Sequence, residues 1–87
     1  MSIWASRLDE DEARWAEMPP LVATLAAEDL LRAAEAACER ADYEGIRTLF
    51  ASALAGARVI GEGHPAWPAL NNAGLLLSGV LALALCD

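Results

Sequence analysis

Three interruptions divide this chain into four stretches, and they constrain its fold more than any other feature. Pro19-Pro20, Asp42-Tyr43-Glu44-Gly45 and Gly61-Glu62-Gly63-His64-Pro65 are built of residues that end helices or turn the backbone. The stretches between them are made of helix formers. Alanine, the strongest of these, fills 20 of the 87 positions. No hairpin signature occurs, and the one strictly alternating run, Leu81-Ala82-Leu83-Ala84-Leu85, has no second strand to pair with. The expected fold is all-α, a small bundle of about four helices around a central antiparallel hairpin. A chain of this length holds one domain over 1–87. Its expected parts are an acidic N-terminal helix over 1–18, the hairpin over 21–60 and an apolar helix over 66–85.

The side-chain pattern assigns faces. In the first segment, Ser2 to Glu17, Trp4, Leu8 and Trp15 fall on one stripe while Asp9, Glu10 and Glu12 face elsewhere, and Trp4 and Trp15 are expected to pack on the second helix rather than stand exposed. Ser6 with Asp9, or Asp9 with Glu12, has the spacing of a capping box. A second helix begins at Leu21 or Thr24 and ends at Ala41. Its expected buried side is Leu25, Leu30, Leu31, Ala34, Ala37, Cys38 and Ala41, and Glu28 and Arg32 on the wet side have ion-pair spacing. Asp42 is a natural N-cap for a third helix from Tyr43 to Ile60, with Ile46, Leu49, Phe50, Ala53, Leu54 and Ala57 inward. Gly56 within it weakens the helix unless another backbone approaches there closely. Gly61 ends this helix, and a fourth runs from about Ala66 to Leu85.

Charge is distributed unevenly. The net charge is −7, and Met1–Glu44 holds eleven acids and four arginines while Gly45–Asp87 holds two of each. An acidic half of this kind attracts a basic partner and repels nucleic acid, so direct nucleic-acid binding is not expected. From Pro65 to Cys86 no residue is charged. A membrane span needs about 20 uninterrupted apolar residues, and Pro65, Pro68, Asn71 and Asn72 break the window, so a buried core helix is expected rather than a membrane segment. The start of the chain has no signal-peptide pattern, which points to the cytoplasm. Cys38 and Cys86 are the only cysteines and His64 the only histidine. That set permits one disulfide but supplies too few ligands for a zinc site, and no metal or cofactor is expected.

The middle of the chain resembles a tetratricopeptide repeat of the kinesin-light-chain type, over about Leu30 to Leu77. Leu30, Ala33, Ala34 and Ala37 match the first helix of that repeat, Asp42-Tyr43 its turn, and Ile46, Phe50 and Ala53 its second helix. Gly61-Glu62-Gly63-His64-Pro65 is similar to the loop that closes the repeat, and Leu70-Asn71-Asn72 to the run that opens the next helix. Ile46 stands where a small residue is usual and Ala41 where the turn glycine is usual. About one and a half repeats fit, whereas such arrays bury a continuous core with three or more. The resemblance implies a helical hairpin used for protein binding, with Asn72 at a position that can contact a peptide backbone.

Catalytic motifs are missing from the sequence: His64 has no serine, cysteine or acid at motif spacing, and no phosphate loop or dinucleotide fingerprint occurs. The run Asp9-Glu10-Asp11-Glu12 lacks the alternating ligands and glycine of a calcium loop and suits a solvated helix start. The expected role is therefore non-catalytic protein binding. Asp9, Glu10, Asp11, Glu12 and Glu17, with Trp4 and Trp15 if their rings are exposed, are the candidate residues for a partner with a basic surface. Such a surface is found on nucleic-acid-handling machinery. In size and charge, though in no motif, the chain is similar to small acidic phage inhibitors such as anti-CRISPR proteins. The alternative expectation is an adaptor or assembly subunit, a homodimer rather than a monomer, that self-associates through Leu76, Val80 and Leu83.

Overall fold

The computed structural model describes the backbone of residues 3–86 and the side chains of residues 10–84. Four helices follow one another: α1 (Ile3–Glu17), α2 (Pro20–Arg40), α3 (Tyr43–Ile60) and α4 (Trp67–Cys86). The chain is a small all-α bundle, as its alanine content and punctuation predict. Pro20 occupies the first position of α2, where its missing N–H is one of the donors a helix start leaves unpaired anyway. Asp42 caps α3 by accepting from the Gly45 amide at 3.1 Å, and Gly61 closes the same helix at a positive φ of 80°. The helical backbone already starts at Ile3, so Ser6 and Asp9 lie inside α1 rather than at the helix start where a capping box is expected.

Ala41 is the one non-glycine residue with positive φ among the described residues, at φ 54°. It stands at the end of α2 in the place glycine usually takes, while the amides of Ala41 and Asp42 return to the carbonyls of Cys38 and Ala37. Ala41 is therefore exposed at a turn rather than on the buried side of α2.

Small residues set the packing. The buried stripe of α2 is Ala23, Ala27, Leu30, Ala34 and Ala37, and that of α4 is Leu70, Ala73 and Leu77, preceded by buried Ala66. Alanine stripes let helix axes approach closely, and the few large residues fill what remains. Leu25, expected inside, is 54% exposed because it lies across α2 from the alanine stripe. Leu54 of α3, also expected inside, is 43% exposed. Leu30, Ala34, Ala37, Ile46 and Ala53 are buried as expected, while Leu31, Cys38, Leu49, Phe50 and Ala57 are half-buried. Cys38 is a free thiol, and the side chain of Cys86 lies outside the described residues. On the wet face of α2, Arg32 pairs with Asp29 at 2.7 Å rather than with Glu28.

α4 departs most from expectation. Its residues Trp67–Ala84 are long and apolar enough to cross a membrane by length and composition, yet only 17% of that window is buried. Its core stripe is narrow, and Leu75 and Leu83 stand out in solvent. Leu76 and Val80, two of the residues expected to join copies of the chain, are half-buried against the core instead.

Candidate functional site

α1 packs on α3, and that contact is organised by Trp15. The ring is buried, with 4% of its surface exposed, and lies against Gly56 of α3, which a Leu70 methyl of α4 also approaches. Its indole Nε1 donates to Ser52 Oγ at 3.3 Å, which gives the buried ring's single polar atom a partner. Two expectations are corrected here. Trp15 packs on the third helix, not the second, and what approaches Gly56 is a side chain, not a backbone. Buried in this way, Trp15 does not offer its ring to a partner. Trp4 and Asp9 lie outside the described side chains.

Between the two helices lies an open cleft of about 420 Å³, lined by Glu10, Asp11 and Arg14 of α1 and by Thr48, Leu49 and Ser52 of α3. Helical spacing places Glu10, Asp11 and Arg14 on one side of α1, and Asp11 and Trp15 share a stripe, so the tryptophan anchor aims the acids at α3. Two carboxylates against one guanidinium leave the cleft negative. Glu12 falls on the other flank, where Arg58 Nη1 approaches its Oε1 at 3.3 Å. Glu17 ends α1 and is exposed. The structure thus gathers Glu10 and Asp11 into one cleft, pairs Glu12 with Arg58 outside it, and leaves Glu17 apart. Among the described residues the ion pairs are Glu12–Arg58 and Asp29–Arg32, neither of which involves Glu10, Asp11 or Glu17.

Sequence reasoning missed Thr48 and Ser52, because nothing in the local pattern of α3 says that α1 will lie across it. It also missed a second concavity, an apolar groove of about 200 Å³ on the outer side of α3 and α4. His64 is half-buried in the loop before α4, where its Nδ1 accepts from the Ala66 amide at 3.0 Å; it organises that loop and lines neither concavity. No group of three or more His, Cys, Asp or Glu able to hold a metal occurs among the described residues. The chain matches no known family model, no curated protein and no solved structure.

Proposed function

We propose that this chain is a non-catalytic protein-binding domain of the cytoplasm, a small acidic inhibitor of anti-CRISPR-like character. Its α1–α3 rim occupies a basic, nucleic-acid-binding surface of a partner. The observation that carries this reading is the placement of Glu10 and Asp11 together in an open cleft beside the hydroxyls of Thr48 and Ser52. Carboxylates and hydroxyl oxygens accept hydrogen bonds from ammonium and guanidinium groups, so the cleft suits an arginine or lysine side chain. The wider charge distribution supports it too: eleven of the thirteen acids lie within the first 44 residues, on α1, on α2 and at the start of α3, where Asp42 is the N-cap. Such a field raises the rate at which a basic partner arrives and excludes the phosphate backbone that would otherwise occupy the partner's site.

The test is retention of nucleic-acid-binding proteins on the immobilised domain across a salt series, with duplex DNA as competitor. Retention should fall as the screening length shortens from about 10 Å at 0.1 M salt to about 3 Å at 1 M. It should also fall with Glu10→Gln/Asp11→Asn and with added DNA. Retention that the double variant leaves unchanged would sink the reading.

A further inference from the structure

α2 covers one side of the paired helices α3 and α4. Its buried stripe of Ala23, Ala27, Leu30, Ala34 and Ala37 joins Leu70, Ala73 and Leu77 of α4 in one core. Among the described residues nothing covers the opposite side of the same pair. There the apolar groove runs between Phe50 and Leu54 of α3 and Gly74, Leu75 and Ser78 of α4. Nothing lies within 4 Å of where a Gly74 Cβ would stand, while Leu75 beside it is 65% exposed. Groove and ridge are thus adjacent on one helix.

We infer that this face binds a second copy of the same chain, Leu75 of each copy entering the α3–α4 groove of the other about a two-fold axis. Three observations select that occupant. The first is charge. No Asp, Glu, Arg or Lys occurs from Gly63 to Cys86, although the chain carries −7. Two copies meeting through α1 or α2 would bring like charges together, whereas meeting through α3 and α4 keeps the acids apart.

The second is shape. An isologous interface needs one surface that supplies both the projection and the recess, and Leu75 beside Gly74 and Ser78 does so. A cavity of about 150 Å³ accommodates a benzene-sized group, so the groove of about 200 Å³ has room for a leucine side chain. The third is area. Two adjacent helices, each about 30 Å long and 10 Å wide, offer on the order of 600 Å² in projection. Standard interfaces bury about 800 Å² of accessible surface per partner, which a corrugated patch of that footprint approaches. A lipid surface fits less well, because the face is concave, has Asn71 and Ser78 in its lining, and belongs to a chain that anionic headgroups repel. The inference does not rest on the acidic cleft, and either can fail alone.

The experiment is sedimentation equilibrium of the full chain from micromolar to submillimolar concentration, for the unmodified protein and three variants. The unmodified chain should form a dimer. Gly74→Leu fills the groove from within, and Leu75→Glu places a charge on the ridge. Each should raise the dissociation constant by a factor on the order of 30, the loss of a central anchor. Leu21→Glu, an equally exposed leucine on the far face of α2, should leave it unchanged. Far-UV circular dichroism of each variant checks that the monomer stays folded, and the two groove variants act through opposite changes, so one serves if the other unfolds. A monomer at every concentration overturns the inference. So does a dimer that survives both groove substitutions or is lost equally with Leu21→Glu. Sedimentation of the monomer with phosphatidylcholine vesicles, abolished by Leu75→Glu, would assign the face to lipid instead.

Discussion

Gly56 and Gly74 are both mid-helix glycines on the paired helices α3 and α4, and they sit under opposite conditions. A Cβ added at Gly56 would stand 2.9 Å from Trp15 Cε2 and 3.0 Å from Leu70 Cδ1. A Cβ added at Gly74 would meet nothing within 4 Å. One glycine is a socket already filled by an aromatic ring, and the other borders an open groove. A glycine in a helix costs about 1 kcal/mol relative to alanine. At Gly56 that cost is offset by the packing of Trp15, which no larger residue would admit. At Gly74 no contact within the protomer offsets it.

Removing the ring is the most severe way to break this comparison. Trp15→Ala should destabilise the fold by about 3–5 kcal/mol, a large share of the roughly 5–15 kcal/mol typical of a whole domain. Urea unfolding followed by circular dichroism would show a midpoint shifted sharply down, or no cooperative transition.

Gly56→Ala comes next. Overpacking of about 1–3 kcal/mol set against about 1 kcal/mol of helix propensity gives a net loss of about 0–2 kcal/mol. In the Trp15→Ala background the clash with the ring is gone and the Leu70 methyl, the other close neighbour, can shift into the vacated space, so the same substitution should turn neutral or stabilising. A double-mutant cycle reads this change of sign directly. If Gly56→Ala costs the same in both backgrounds, the Trp15 ring is not what requires a glycine there.

The third is Gly74→Ala, which should stabilise the monomer by about 1 kcal/mol. The measurement is thermal unfolding at low concentration, where self-association contributes least. Loss of stability at this position would mean that the groove is closed in solution and that the two glycines are alike.

How far these positions were legible beforehand follows from what determines them. Helix ends are decided locally, and Pro19-Pro20, Asp42 and Gly61 put every boundary within a few residues of where it lies. Facing is decided by neighbours, and there alanine misleads. In the first two turns of α2, Leu21, Val22 and Leu25 offer an apolar stripe opposite the one through Ala23 and Ala27. Hydrophobicity favours the leucines, but close approach to α4 favours the alanines, and the alanines are the buried ones. Leu54 stands exposed on α3 while the small Ala53, Ala55 and Gly56 are covered.

The candidate cleft was half visible. An acidic run on a helix reads as a wet face from composition alone. That Glu10 and Asp11 would share a cleft with Thr48 and Ser52 depends on a contact nearly forty residues away along the chain. The second helix is the nearer to Trp15 along the chain and the expected seat of its ring, yet the third is the one that holds it.

The smallest expected effect concerns Glu12, and it ties the cleft back to the Trp15 side of the comparison. Glu12 and Arg58 bridge α1 and α3 at 3.3 Å beside the buried ring, with the arginine 62% exposed. Exposed pairs of this kind contribute about 0–1 kcal/mol, lowered further by salt. Glu12→Gln should therefore change stability by less than about 0.5 kcal/mol, close to the resolution of denaturant titration. Its effect on partner binding is the sharper measurement. Arg58 already neutralises much of the Glu12 charge, whereas Glu10 and Asp11 face the cleft. In the same retention series, Glu12→Gln should weaken binding less than Glu10→Gln or Asp11→Asn does. Equal losses at all three would mean that the partner reads the charge of α1 as a whole, and that the cleft beside Thr48 and Ser52 has no special part in recognition.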